Sequence, residues 1–330
     1  MPGASHAHLE DRHPHEPRRA VTNLAQPVFE PCAIGPGDLP AFEAIPGRAA
    51  DLGGLAIRRL LPRSQRRMVG PFCFFDSFGP LSFSSGKPMD VAPHPHIGLQ
   101  TVSWLLEGEI EHHDSLGCEG VAGAGVLNLM TAGRGIAHSE ETPAENSGRL
   151  RGVQLWVALP EEARWTEPSF ERHSDLPSLE REGGTATVIL GELSGLRSPA
   201  RRFSPSMLVE LRLLAGSELT IPLRNEFEHA LVVLRGDCGM DGGKALSMDT
   251  LYYLGRGRRE IAIECGPAPA TALLLGGAPF AETIRMWWNF VARRPEEIRE
   301  AREDWVAGRR FGEVSAYRGA RAEAPALAAP

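Results

Sequence analysis

The stretch Ala92-Pro93-His94-Pro95-His96-Ile97-Gly98-Leu99-Gln100 decides how this chain is read, together with Gly135-Ile136-Ala137-His138-Ser139-Glu140 about forty residues later. Each piece sets two metal-binding side chains two positions apart, and the side chains of a strand alternate faces with a period of two. His94 and His96 therefore project from one face of an extended segment, about 6.6 Å apart along it. His138 and Glu140 do the same on a second segment. Two such strands facing each other inside a small barrel would bring three imidazoles and one carboxylate to a single point. That donor set suits a divalent transition metal such as Fe(II), and the same donors accept Mn, Co, Ni or Cu. No thiolate takes part, which separates the pattern from a structural zinc knot. A lone His-Pro-His also fits a surface loop, and a lone His-x-Glu says almost nothing. The pairing of the two, with strand patterns on either side, carries the reading.

Working outward, residues 55–61 and 72–75 read as early strands separated by a polar turn. Residues 101–106 alternate Val102, Trp104 and Leu106 against Thr101, Ser103 and Leu105. Glu107-Gly108 then reads as the turn of a hairpin whose return strand is 109–114. Gly123, Gly125, Gly133 and Gly135 mark tight bends on the approach to His138. Residues 153–159 close a first barrel. His112 and His113 lie next to each other in the return strand, so they point to opposite faces. His112 is expected to support the ligating imidazoles from behind, or to fill the core, and His113 to be exposed. Gln100, four residues after His96, shares its face if the alternation is regular. A neutral amide there could hydrogen-bond a bound oxygen species but could not act as a base.

These residues carry a resemblance. HPHIGLQTVSWLLEGEIEHHDSLG, AGAGVLNLMTAGRGIAHSEETP and GVQLWVALP resemble the N-terminal half of a pirin, a member of the cupin superfamily, and GGAPFAETIRMWWNFVARRPEEI resembles the closing segment of the pirin C-terminal domain. The likeness spans approximately residues 45–300. It implies an all-β bicupin: two jelly-roll-like β-barrels packed together, with a short C-terminal helix. It also implies that the metal, usually iron, is bound at His94, His96, His138 and Glu140, the four positions already chosen on spacing. Where cupins and many pirins carry a glutamate, this chain has Gln100, which leaves Glu140 as the only carboxylate placed at the metal. Several pirins resemble quercetin 2,3-dioxygenases, so the resemblance implies an enzyme that uses O₂ to cleave a flavonol-type enol or aromatic substrate, with Glu140 as catalytic base. Pirins are also described as regulators. The alternative is a non-catalytic, iron- and redox-dependent protein that binds a transcription factor or metabolic enzyme. A cupin isomerase or decarboxylase acting on another small enol is a third option.

The rest of the chain fits this division. Residues 1–25 hold His6, His8, His13 and His15 but no apolar period, and are expected to be disordered. Residues 26–165 form the metal-binding barrel and 166–290 a second one, beginning in a polar connector. That second barrel contains strands near 207–214, 230–234 and 261–265, but His229 is the only histidine among them and no His-x-His appears, so it reads as degenerate. In residues 291–330, Pro295-Glu296-Glu297-Ile298 opens a helix, with proline suited to the first turn and glutamates to the positive end of the dipole. Its Ile298, Ala301 and Trp305 share a face that should pack on a barrel, and a loose tail follows Gly312.

Composition sets outer limits. With 36 glycines and 27 prolines in 330 residues, the chain suits many short strands joined by turns. A formal net charge of −7 argues against direct electrostatic binding of nucleic acid. The basic runs 63–67 and 256–259 read as solvated loops. The five cysteines (Cys32, Cys73, Cys118, Cys238 and Cys265) are scattered and show no CxxC spacing, which implies reduced thiols and a cytoplasmic location. No apolar run approaches the ~20 residues of a membrane span.

Overall fold

The computed structural model describes residues 21–22, 42–52 and 54–327. Most of the expected disordered N-terminal segment, including its histidines, lies outside the described residues. Val21–Thr22 is described, and it forms a short strand against Arg285–Trp287 rather than a disordered stretch.

Two jelly-roll-like β-barrels follow each other along the chain. The first is organised by one 16-residue strand, Leu99–Asp114, which belongs to two layers. Its first part lies between Arg149–Ala158 and Leu127–Thr131; its last part pairs with Glu119–Gly123 and with Ile136–Glu141. The hairpin expected at Glu107-Gly108 is therefore absent, and the strand bends there without reversing. Gly108 takes a φ of 89°, and a Cβ on it would meet the Arg149 carbonyl oxygen at 2.1 Å. Glycine is the residue that permits that bend.

The second barrel has a seven-stranded sheet centred on Ala270–Gly277 and a four-stranded sheet containing Glu218–Pro222 and Glu260–Cys265. The barrels also exchange edges. Glu43–Pro46 pairs with Thr250–Gly255 of the second barrel, and Ser169–His173 pairs with Leu127–Thr131 of the first.

Period-two patterning explains where the barrels meet. Val153, Leu155 and Val157 share one buried cluster with Ala230, Val232, Leu273 and Leu275 of the second barrel. The intervening Gln154 and Trp156 turn the other way, into the first barrel's cavity. Leu231 and Val233 likewise alternate into the second barrel's own core. One strand thus serves two apolar faces, which is why these segments read as continuous hydrophobic runs. Trp104 Nε1–H donates to Glu210 Oε2 at 2.8 Å within this interface, so the buried polar atoms are paired.

The helix Pro295–Val306 buries Ile298, Ala301 and Trp305 against Ile97, Ala137, Trp287 and Phe290, as its apolar face predicts. Glu297 anchors its first turn by accepting from the Arg293 backbone N–H at 2.9 Å and pairing with buried Arg164. The segment after Gly312 is not loose. Ala322 N–H donates to the Pro93 carbonyl, Trp305 Nε1–H donates to the Ala322 carbonyl, and the Tyr317 hydroxyl reaches Asp90. Its Ala/Pro composition hid these contacts, because two of the three use its backbone. The basic runs are also more than solvated loops. Arg66 is 1% exposed, pairs with Glu43 and stacks on Tyr253, and Arg258 is buried against Asp241. Cys73, Cys118, Cys238 and Cys265 are free thiols, and Cys32 lies outside the described residues. Among the described residues no helix is long and apolar enough to cross a membrane.

Candidate metal centre

Asp90–His96 and Ile136–Glu141 are antiparallel neighbours, and His138 stands directly opposite His94. The ligand atoms of His94, His96 and His138 lie within 4.8 Å of one another, and all three residues are buried. Each ring is fixed through its Nδ1. His94 Nδ1 is 2.9 Å from the Ala92 carbonyl and His96 Nδ1 is 3.0 Å from the Asn289 carbonyl. A carbonyl can only accept, so both Nδ1 atoms carry the proton and both Nε2 atoms keep a free lone pair.

His138 is held differently. Its Nδ1 is 3.4 Å from His112 Nδ1, and His112 Nε2 is 3.1 Å from Asp114 Oδ2. The carboxylate accepts from His112 Nε2–H, His112 Nδ1 accepts from His138 Nδ1–H, and His138 Nε2 is left as a lone pair. The chain of single protons closes in this order only.

His96 Nε2 and His138 Nε2 then stand 3.1 Å apart with no proton between them. Two lone pairs at that distance repel unless a cation faces both. Ligands at right angles on an ion with bonds of about 2.1 Å would be about 3.0 Å apart, so the spacing fits a bound divalent metal. Burial supports the same protonation state. It lowers His94 to about 4 and pushes His96 and His138 well below the usual histidine range, keeping the imidazoles neutral as metal ligands must be.

Glu140 sits on the same strand beyond a register shift after His138, and it is not part of the three-histidine group. It lines the same cavity, opposite His112 on the neighbouring strand. Its Oε1 is 3.0 Å from the Ser103 hydroxyl, and Gln154 Nε2–H donates to Oε2 at 3.2 Å. Burial raises its proton affinity, opposed by His112 and by these two hydrogen bonds.

Two expectations fail here. Gln100 does not face the histidines. Its Nε2–H₂ donates to Thr131 Oγ1 at 2.9 Å and to the Arg201 carbonyl at 3.1 Å, toward the second barrel. Alternation was broken by Gly98, whose φ of 70° turns the chain between His96 and Leu99 where the Val291 backbone presses closest. His113 is buried rather than exposed, with Glu111 and Glu141 carboxylates 3.6 and 3.5 Å from its ring. Ser103 and Gln154 join the site beyond what the ligand spacing implies; the one sequence signal for Gln154 is a lone amide in the otherwise apolar strand Gly-Val-Gln-Leu-Trp-Val.

The cavity of about 1000 Å³ in front of the histidines is walled by Phe74 and Trp156, whose rings stack at 4.1 Å. Trp156 also meets the His96 ring edge-on at 5.2 Å. The Ala322 segment forms part of its rim.

Known proteins place this architecture. The pirin family pattern matches residues 54–157, and that of the pirin C-terminal cupin domain matches residues 208–312. A Pseudomonas aeruginosa protein provisionally named a quercetin 2,3-dioxygenase is 43% identical over 288 residues, covering 87% of this chain and 90% of its own. This chain belongs to the pirin family. A pirin-like protein of Caulobacter vibrioides is 39% identical, covering 79% of this pirin and 92% of its own length. The crystal structure of an Acinetobacter baumannii quercetin 2,3-dioxygenase superimposes with a TM-score of 0.84 at 42% identity, over 87% of this pirin and 96% of that chain. The fold of this pirin is a bicupin, and among the described residues the three-histidine cluster lies in the first barrel.

Proposed function

We propose that this pirin is a metal-dependent dioxygenase that holds Fe(II) at His94, His96, His138 and Glu140 and opens a flavonol-type enol such as quercetin with O₂. The observation that carries the reading is the convergence of three neutral, buried imidazoles, two of which, His94 and His96, line a cavity with aromatic walls. The names borne by the Pseudomonas and Acinetobacter relatives support it. Polarisation of an enol oxygen and one-electron chemistry toward O₂ are what such an ion supplies when bound. In overall balance, flavonol and O₂ give the ring-opened ester and carbon monoxide.

The protein's own groups do the rest. Glu140, on the cavity wall beside the histidines, is the carboxylate placed to accept the enol hydroxyl proton. Ser103 and Gln154 hold that carboxylate in place while the proton moves. Phe74 and Trp156 present a flat apolar wall to a planar ligand and keep water from it.

The test is oxygen uptake on quercetin by anaerobically iron-loaded protein, beside His94→Ala/His96→Ala. Saturable uptake, matched one-to-one by flavonol loss and absent from the double variant, is the expected result. No uptake at confirmed iron occupancy would refute the dioxygenase and leave the non-catalytic, redox-sensitive binding protein as the surviving alternative.

A further inference from the structure

Next to the metal cavity lies a second recess of about 330 Å³ that the proposed reaction does not use. The two adjoin, sharing Arg48, Arg59, Phe74, Trp156 and Trp288 in their walls. Their charge differs. Arg48 and Arg59 are common to both; the metal side adds Asp51, Asp76, Asp90 and Glu140, whereas the second recess adds Arg63 and Arg67 and has no carboxylate among its lining residues.

The arginines are not equivalent. Arg59 is spent: its Nε and Nη2 grip the two oxygens of fully buried Asp76 at 2.8 and 2.7 Å while its guanidinium lies 4.5 Å from the Phe74 ring centre. Arg48 and Arg63 hold no carboxylate at ion-pair distance among the described residues, although the Arg48 charge acts on Asp76, and Arg63 Nε is buried without a hydrogen-bond partner. A guanidinium with an unpaired buried N–H is incompletely compensated, and an anion in the recess that Arg63 lines would offset its charge. Trp288, in the wall of both recesses, holds a φ of 53°, a strained conformation for a bulky residue.

We infer that the substrate of this pirin is a planar enol or catechol bearing an anionic group, a carboxylate or an oxyanion of sulfur or phosphorus, which Arg48 and Arg63 receive while the enol faces the histidines. This rests on the metal-centred reading above and adds the substrate's charge and orientation. The acidic lining at the metal end and the basic lining at the other leave one favourable direction for such a ligand. The aromatic wall runs unbroken between them, from His96 through Trp156 to Phe74.

The experiment compares matched ligand pairs by calorimetry on cobalt(II)-loaded protein under argon: caffeate against its methyl ester, and a quercetin sulfonate against quercetin. In at least one pair the anion should bind about tenfold more tightly, equivalent to about 1.4 kcal/mol. That preference should shrink below about threefold in Arg48→Gln/Arg63→Gln and in 0.5 M salt, at unchanged cobalt content and melting temperature. Arg59 is left intact because its loss would strand the Asp76 charge. Equal affinities in both pairs, a preference that survives the double substitution, or no binding of any of the four ligands would overturn the inference. Oxygen uptake on quercetin is scored separately, so failure of the dioxygenase reading and failure of the anion site are told apart.

Discussion

Replacing His112 by phenylalanine tests the site's proton order. The ring of His112 stacks on Phe170 at 4.2 Å with the planes 12° apart, and phenylalanine preserves both volume and stacking. What it removes is the acceptor for His138 Nδ1–H and the donor to Asp114. His138 would then lose the bond that keeps its Nε2 unprotonated, and a buried N–H left without an acceptor costs about 1–3 kcal/mol. At about 1.4 kcal/mol per decade, divalent-metal affinity should fall about 10–100-fold. Asp114→Asn offers an independent route to the same result. An amide N–H₂ facing His112 Nε2 would make that nitrogen an acceptor, move the ring proton to Nδ1, and set it against the proton on His138. Asp114 Oδ1 also accepts from the Leu116 and Cys118 backbones, and the asparagine oxygen can keep that turn. The assay is competitive cobalt titration against a coloured chelator, with circular dichroism to confirm folding. Metal affinity within twofold of wild type in both folded variants would refute the relay and reduce His112 to a packing residue.

Glu140→Gln should retain metal yet lose about 10²–10⁴ of kcat, the range for removing a general base; undiminished turnover at equal iron content would rule Glu140 out. His229, 0% exposed with neither ring nitrogen well hydrogen-bonded, has its pKa lowered by burial to about 4. Between about pH 6.5 and 4 the unfolded chain binds the proton that the fold refuses, so stability falls as pH drops through that window. The loss at pH 5 works out to about 2 kcal/mol relative to pH 8, and urea melts of His229→Phe should show a correspondingly smaller pH dependence. An unchanged difference would show that His229 is not the titrating group. Truncation after Val314 removes the Ala322 bonds to Pro93 and Trp305 and the Tyr317 bond to Asp90. It should cost about 2–3 kcal/mol and speed metal release to a chelator, and an unaltered release rate would separate the strap from the centre.

Much of the site was legible because it depends on period two within single strands. His94 and His96 converge with His138 as the alternation implies, while Glu140 lies past a register shift and outside the three-histidine group. What sequence could not show is where a strand bends or crosses layers. Gly98 resets the alternation and sends Gln100 toward the second barrel, and Gly108 bends a strand that reads as a hairpin. His113 looked exposed by alternation away from His112, but that outer face is covered by the Glu111 and Glu141 carboxylates. The tail departs from its composition for a different reason. Backbone groups make its bonds at Ala322, and backbone bonding leaves no trace in composition.

The two barrels share a fold and differ in what they bury, which bears on where chemistry can occur. In the first, buried imidazoles come as a cluster, and each ligand ring has its Nδ1 engaged by a carbonyl or by a second histidine. In the second, His229 stands without such support, and the barrel interior is filled by Val209, Leu211, Ile221, Leu231 and Ile263. A metal ligand needs its other nitrogen held, its charge state fixed and open volume before it. The first barrel supplies all three because Asp90–His96 and Ile136–Glu141 stand apart from the sheet that packs on the second barrel, leaving a cavity where the other barrel has core. That packing sheet is the same in function on both sides, so the second barrel's apolar interior and the first barrel's reactive one are two outcomes of a single interface. Filling one gives the rigidity against which the other can hold three lone pairs at 3–5 Å without collapsing.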